Sequence, residues 1–210
     1  MEVSAEPLPA DGYLHVLRED PKRQGLLYLG GERGLFVSWN DGFSWVPFKL
    51  NLPTVTVTDL IVKHNDLVVG TNGRSIWILD DLTPLRLRTS GVRTEEVFLY
   101  PTEPAVRYRY HTSLGEKKPL GAGQNPPEGA IVHYFLKAKP QGDITLEVLD
   151  AKGGRVTLLT SKKEPEEKPA EGDYSSEKYK KPLLPLEPGL HRIVWDLRYE
   201  GAQAIRGARV

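Results

Sequence analysis

Short apolar segments separated by turn residues run through the first quarter of the chain. They lie at residues 14–17, 26–29, 35–37 and 45–48. Segments of this length, bounded by glycine, asparagine, aspartate and serine, are typical of β-strands. Four strands joined by short turns predict one antiparallel meander, the arrangement found in a propeller blade.

The turn between the third and fourth segments carries a small or polar residue at alternate positions. Gly42 can adopt a positive φ without steric cost. The Asn40 amide oxygen and the hydroxyls of Ser38 and Ser44 can accept hydrogen bonds from backbone N–H groups that a tight turn leaves unpaired. Trp45 then opens the next strand with a large ring that we expect to be buried. This chemistry predicts a structural turn rather than a catalytic site.

A second copy of the pattern follows after about forty residues. Short strands that recur with this period are typical of radial β repeats, and a generic all-β meander is the alternative. The second copy stops at Asp80 and Asp81, and its fourth strand is weak or missing. The matched stretches are 27–30 with 67–70, 35–37 with 75–77, and 16–17 with 62–63.

The rest of the chain divides into a linker and a second all-β domain. If residues 1–83 form the blades, residues 84–127 have the composition of a linker, with an apolar string at 97–100 that we expect to pack on one of the domains. Residues 128–210 predict a small sandwich of the immunoglobulin or fibronectin type. Its predicted parts are strands at 131–136, 143–149, 155–160 and 190–197, a hairpin turn at 150–154 and a mobile charged loop at 162–181.

The charge balance limits the classes of partner. The chain has 28 basic and 28 acidic residues, so its formal net charge is zero. This predicts neither nucleic acid nor a membrane surface as partner, even though residues 107–110 mix arginine and tyrosine. No segment approaches the ~18 consecutive apolar residues of a membrane span, and residues 1–10 lack the pattern of a signal peptide. With no cysteine in the chain, disulfides and thiolate metal sites are excluded.

No residue pattern predicts catalysis, a metal or a cofactor. The five histidines lack metal-ligand spacing, and phosphate-loop, dinucleotide and nucleophile-elbow motifs are absent from the sequence. Asp80 and Asp81 are adjacent carboxylates, but in an extended strand they would point to opposite faces. We therefore expect them to end a strand and bond turn amides. Trp39, if exposed, could stack on a sugar ring, and burial between blades is the alternative.

Two polar turns are the candidate binding surface. Glu32 and Arg33 lie in one turn, and Asn72 and Arg74 lie in the equivalent turn of the second copy. Turns at one end of a meander are where binding residues are often placed. The alternative is that these four side chains are only solvated turn residues.

Taken together, several stretches resemble the C-terminal part of bacterial sortilin-like BNR propeller proteins. The turn that contains Asn40 is similar to the Asp-box of that family, with asparagine where the family usually has aspartate. Asn72 stands where the family often has histidine, and the sequence ends at Val210 before the strands that usually finish the sandwich. The other similar stretches are 18–21, 25–28, 34–38, 65–69, 73–81, 125–130, 145–150 and 195–198.

The resemblance implies a fold and a function. It implies two propeller blades followed by an Ig-like sandwich, in a non-catalytic binding or scaffold portion that recognises protein or glycan. The alternatives are a fragment of a sialidase-like glycoside hydrolase whose catalytic residues lie on missing blades, and a purely structural cap. Because two blades do not close a propeller, we expect a fragment of a longer chain, with completion by a second copy as the alternative. A periplasmic or secreted location is implied for the full-length protein.

Overall fold

The computed structural model describes residues 8, 12–107, 123, 125–163 and 181–199. Within these ranges the protein is all-β, with several antiparallel sheets and no closed barrel or ring. Two compact units meet in sequence between Arg88 and Thr89. The predicted all-β class is therefore confirmed.

The first unit begins with a four-stranded antiparallel sheet. Its strands are β1 (Leu14–Glu19), β2 (Leu27–Gly31), β3 (Gly34–Ser38) and β4 (Val46–Pro47), and they follow one another in chain order. Short turns between neighbours make this order the one that sequence-adjacent strands favour. The predicted first meander is confirmed.

A three-stranded sheet follows, made of β5 (Val57–Lys63), β6 (Asp66–Thr71) and β7 (Ile76–Leu79). After β7 the described chain turns into the short helix α1 (Thr83–Arg86) instead of a fourth strand. The two sheets share one hydrophobic core, which includes Tyr28 and Val37 from the first sheet and Leu60 and Leu67 from the second.

The two sheets have matching irregularities. Each first strand carries a β-bulge near its beginning, between Leu14 and Val16 in β1 and between Val57 and Asp59 in β5. A bulge bends a strand and fixes its register at a defined point. The same bulge at the same place in both sheets supports the description of the unit as two copies of one meander.

The sequence alignment of the copies is correct for the second strand and wrong for the first and third. Leu29 pairs with Phe36 and Val69 pairs with Trp77, so Phe36 corresponds to Trp77 and not to Ile76. The β6–β7 turn is one residue longer, and a slip of one residue exchanges the two faces of a strand.

In the first strands, Leu17 pairs with Leu29 and Leu60 pairs with Val69. Leu17 therefore corresponds to Leu60 and not to Lys63. The reason is that the β1–β2 turn exceeds the β5–β6 turn by three residues, because the paired positions 17 and 29 are 12 apart and 60 and 69 are 9 apart.

The second unit contains a short helix and two small antiparallel sheets. The three-stranded sheet has the order β12-β9-β8, and the other is the hairpin of β10 and β11. Both contribute to one core, in which Tyr134, Leu136 and Ile193 from the first sheet meet Leu159 from the second. The elements are α2 (Ser90–Thr94), β8 (Val97–Leu99), β9 (Ala130–Leu136), β10 (Thr145–Leu149), β11 (Arg155–Thr160) and β12 (Gly189–Trp195).

The predicted strands of this unit are present, with several ends corrected. The strand predicted at 143–149 begins at Thr145, and the strands predicted from 131 and 190 each begin one residue earlier. The last strand ends at Trp195, before the predicted end at residue 197, because Leu197 has a φ of 60° that an extended strand does not allow. The predicted linker range contains α1, α2 and β8, and its apolar string forms β8, which pairs with β9. Most of the predicted charged loop at 162–181 and the chain beyond Tyr199 lie outside the described residues.

Candidate functional site

The turn between β3 and β4 is held by three side chains that bond to one another and to the backbone. The Ser38 hydroxyl donates to the Asn40 amide oxygen at 2.9 Å and accepts from Gly42 N–H at 2.9 Å. The Asn40 amide oxygen also accepts from Ser44 N–H at 3.0 Å, while its Nδ2–H donates to the Ser44 hydroxyl at 2.8 Å. Gly42 has a φ of 84°, which is the conformation that glycine adopts without strain.

The two tryptophans of this turn are both half-buried but pack in different places, and Trp39 follows the burial alternative. Trp45 is half-buried, and its ring lies over Gly42 outside the main core cluster. Trp39 packs against that cluster, and its Nε1–H donates to the Leu85 carbonyl at 2.9 Å. The Arg88 guanidinium lies 4.0 Å from the Trp39 ring centroid, a cation–π contact. With one face covered and its N–H bonded, Trp39 is not an open platform for a sugar ring.

The two candidate binding turns lie at the same end of the two sheets. Glu32 and Arg33 follow β2, while Asn72 and Arg74 follow β6. A Cβ at Gly30 near the end of β2 would stand 2.5 Å from Val57, whose strand partner is Thr71 at the end of β6. This contact brings the two turns to one end of the core.

The four candidate side chains at that end are exposed. The backbone beneath them is fixed, because Glu32 N–H donates to the Tyr13 carbonyl at 3.1 Å and Asn72 N–H donates to the Thr56 carbonyl at 2.9 Å. The structure therefore presents one acidic, two basic and one amide side chain from two anchored turns. The turn between β3 and β4 lies at the opposite end of the first sheet, beside the β1–β2 turn, since Asp41 N–H donates to the Gly25 carbonyl at 3.0 Å.

That opposite end contains a buried ionic network that sequence reasoning missed. The Asp20 carboxylate is fully buried and receives the Arg86 Nε–H at 2.9 Å. Asp20 also accepts from Lys22 N–H at 2.8 Å and from the Tyr28 hydroxyl at 3.1 Å. Burial, followed by the charge of Asp20, raises the pKa of Tyr28 well above its ordinary value.

Arg86 connects this network to the second sheet. Its Nη1–H donates to the amide oxygen of Asn65 in the β5–β6 turn, and the Asn65 Nδ2–H donates to Asp81 at 2.6 Å. Asp81 also accepts from Thr83 N–H at 3.0 Å, so its predicted role in bonding turn amides is confirmed. The Arg86 Nη2 group is buried and has no acceptor among the described residues. The position of Asp20 in the tight turn 20–25 could have indicated that its carboxylate bonds to turn amides. Nothing in the sequence identified Arg86 as its ionic partner.

The carboxylates beside the β1–β2 turn are hydrogen-bonded to the backbone of that turn. A surface hollow of about 420 Å³ is lined by Glu19, Asp20, Pro21 and Gln24. Both of its carboxylates already accept hydrogen bonds from the surrounding turn, since Glu19 accepts from Gly25 N–H at 3.0 Å. In the part of the chain that the structure describes, no group of three or more histidine or acidic side chains could hold a metal ion.

Comparison with known protein families, with curated proteins and with solved structures gives no match. Within the described ranges, the helices are too short and too polar to cross a membrane.

Proposed function

We propose that this chain is a non-catalytic binding or scaffold portion of a sortilin-like BNR propeller protein. In this proposal the two sheets of the first unit are propeller blades, and the second unit is an Ig-like sandwich. The partner is a protein or a glycan, which the end of the unit carrying Glu32, Arg33, Asn72 and Arg74 contacts.

One observation carries the proposal. Two meanders with matching bulges bring equivalent polar turns to one end of a shared core. Short-strand meanders that repeat after about forty residues are typical of radial β architecture. In this proposal the Asp-box turn and the buried Asp20–Arg86 pair stabilise the other end of the unit. The polar turns are exposed and have no such structural role, so they are available to contact a partner.

The chemistry of the polar turns suits a ligand with both charge and hydroxyl groups. Arg33 and Arg74 can donate several hydrogen bonds each to a carboxylate or to sugar hydroxyls. Asn72 supplies one donor group and one acceptor, and Glu32 supplies acceptors only. Such a mixed set suits selection of a polar oligosaccharide or peptide better than attraction of a polyanion.

The test measures binding of the labelled full chain to an array of sialylated, fucosylated and unmodified oligosaccharides and of synthetic peptides. The key variant replaces Glu32, Arg33, Asn72 and Arg74 with alanine. The matched control replaces Lys22 and Lys63, which are exposed at the opposite end of the same unit, with alanine. We expect signals that the wild type and the control share and that fall at least tenfold in the key variant.

Two results would overturn the proposal. Equal binding by the key variant would remove these turns from the interface. Turnover of a fluorogenic sialoside by the wild type would favour the glycoside hydrolase alternative instead.

A further inference from the structure

Tyr13 adds an exposed aromatic residue to the end of the first unit that carries the polar turns. Leu14 pairs with Gly31, and at the next position the Glu32 N–H donates to the Tyr13 carbonyl at 3.1 Å. Tyr13 therefore lies directly opposite Glu32, and side chains that are opposite in an antiparallel pair are neighbours on one face. The Glu32 carboxylate is also close to this segment, since a Cβ at Gly12 would stand 3.4 Å from Glu32 Oε2. Tyr13 is 77% exposed, so its ring is accessible beside that carboxylate.

Tyr13 lies on the side of the first sheet that faces the second sheet. Tyr28, Gly30 and Glu32 alternate along one face of β2 and its continuation. Tyr28 belongs to the core that the two sheets share, and a Cβ at Gly30 would stand 2.5 Å from Val57 of the second sheet. Tyr13 shares this face with Glu32 but is not part of the core cluster. The ring and the two polar turns are therefore parts of one surface.

The second copy has no aromatic ring at the equivalent position. Thr71 pairs with Val57, and Asn72 N–H donates to the Thr56 carbonyl at 2.9 Å, so Thr56 corresponds to Tyr13. Because a threonine makes the same backbone contact, the turn does not need a tyrosine to close. Burial does not account for the ring either, since most of the residue faces solvent. A ring that serves neither the turn nor the core is available for binding.

The neighbouring turn of the second sheet is anchored by two side chains. The Thr71 hydroxyl donates to the Ser75 carbonyl at 2.5 Å, and the Trp77 Nε1–H donates to the Arg74 carbonyl at 2.9 Å. Groups that are fixed before binding lose little conformational entropy when a ligand binds. This anchoring favours a small ligand, whose own contacts are too few to order a loose turn.

We propose that Tyr13 and Glu32 form a subsite for one neutral hexopyranose residue of a glycan. This inference rests on the proposed function and names the ligand class of the same surface. The aromatic face packs against the C–H groups on one face of the sugar ring, and the Glu32 carboxylate accepts hydrogen bonds from hydroxyls at the edge of that ring. The two polar turns contact the rest of the oligosaccharide.

The composition of this surface favours a sugar over a protein partner. The centre of a protein interface is depleted of charged residues and needs a wide apolar area. Here the aromatic ring shares its end of the unit with Glu32, Arg33 and Arg74, and an aromatic surface with a few placed polar groups is typical of small-ligand sites. The carboxylate beside the ring also selects against an acidic sugar, because two negative charges in contact repel each other.

The test is binding of the full chain to cellotetraose, mannotetraose and galactotetraose, by saturation-transfer NMR and, for the tightest of the three, by calorimetry. Tyr13→Ala should weaken binding of that tetrasaccharide about tenfold, whereas Tyr13→Phe, which keeps the ring, should stay within about twofold of the wild type. The matched control Phe43→Ala removes a 91% exposed ring at the opposite end of the same unit, and it should bind like the wild type. Far-UV spectra establish that each variant is folded.

Charge selectivity is a second readout, which a purely structural role of these residues would not change. The uronic-acid form of the same tetrasaccharide should bind more weakly than the neutral form. Glu32→Gln keeps an acceptor oxygen and removes the charge, so the difference between the two forms should shrink in this variant.

Several outcomes would overturn the inference, and they differ from failure of the proposed function. If Tyr13→Ala binds the tetrasaccharide like the wild type while the alanine variant of all four polar-turn residues does not, the turns bind a ligand but the subsite is wrong. If peptides bind through these turns and no tetrasaccharide does, the ligand class is wrong. Equal losses in Tyr13→Phe and Tyr13→Ala would exclude stacking on the ring, and an equal loss in Phe43→Ala would show unspecific adsorption. A wild-type chain that binds neither saccharides nor peptides would overturn the proposed function as well.

Discussion

Asn40 closes the turn between β3 and β4 by using both ends of its side-chain amide. Its oxygen accepts from the Ser38 hydroxyl and from Ser44 N–H, while its nitrogen donates to the Ser44 hydroxyl. An aspartate at this position could accept the same two bonds, and the Ser44 hydroxyl could rotate to donate a third. The turn therefore depends on an acceptor at position 40 and not on its charge.

The two substitutions Asn40→Ala and Asn40→Asp separate these roles. We expect Asn40→Ala to lower the free energy of unfolding by about 0.5–1.5 kcal/mol, because it removes the side-chain hydrogen bonds that close this exposed turn. Asn40→Asp should stay within about 0.5 kcal/mol of the wild type, in the range of a surface change. Urea unfolding followed by tryptophan fluorescence measures both, with the exposed Lys49→Ala as control. If Asn40→Asp is as costly as Asn40→Ala, the donor to Ser44 is what holds the turn.

At the scale of elements, α1 is fixed to the first sheet by buried charge rather than by its own length. Four residues are too few for a helix to be stable alone. Arg23 donates to the Leu85 carbonyl at 2.7 Å and the Arg86 carbonyl at 2.6 Å, which bonds the last turn of the helix. Arg86 in turn pairs with the fully buried Asp20 carboxylate.

Breaking this pair from one side should be strongly destabilising. We expect Arg86→Met to lower the free energy of unfolding by about 3–5 kcal/mol, because Asp20 would remain buried without a counter-charge. Asp20→Asn combined with Arg86→Met should recover part of that loss, since no buried charge is left. Both are measured by urea unfolding in a double-mutant cycle.

The control for this prediction is an exposed arginine–aspartate pair of the same unit. Arg18 and Asp59 are 3.0 Å apart, with side chains 49% and 71% exposed. A corresponding double-mutant cycle on Arg18 and Asp59 should give a coupling free energy of about 0–1 kcal/mol. Equal coupling in the two pairs would contradict the assignment of Asp20 and Arg86 as the interaction that docks α1.

At the scale of the whole molecule, a buried tyrosine lies in the core of each unit. Tyr28 belongs to the first core cluster and Tyr134 to the second. Burial raises the pKa of both hydroxyls, and for Tyr134 from 10.0 to about 12. The Tyr134 hydroxyl donates to the Pro185 carbonyl at 2.7 Å, a bond that ionisation would remove.

These shifts predict a loss of stability in alkali. A raised pKa in the folded state means that the stabilisation is complete below pH 10 and is lost as the pH rises from 10 toward 12. Over that pH window the hydroxyl of such a tyrosine is ionised in the unfolded chain and still protonated in the folded unit. Each tyrosine of this kind therefore lowers the free energy of unfolding by about 1.4 kcal/mol for every pH unit. Urea unfolding of the wild type and of Tyr134→Phe at rising pH measures the difference. Parallel slopes for the two proteins would show that Tyr134 ionises freely in the folded state.

Local patterns were enough to predict the strands and the neighbours that short turns join, but not how the two copies align. The segments around 14–17, 27–30 and 131–136 are strands because alternating and β-branched apolar residues occur between turn residues. The alignment of β7 with β3 was wrong by one residue, because the β6–β7 turn is one residue longer than the β2–β3 turn. The sequence also left open whether Trp39 is exposed or buried, because only tertiary packing places Trp39 against the core cluster and Trp45 outside it.

The sequence alone determined the all-β class, the repeat of the meander and the chemistry of the Asn40 turn. Each rests on interactions between residues that are near neighbours along the chain, so local pattern contains the information. Only the tertiary structure decided that Asp20 is buried against Arg86 and that the two polar turns share one end. These features join residues far apart in sequence, and they depend on how the two sheets pack their faces against each other.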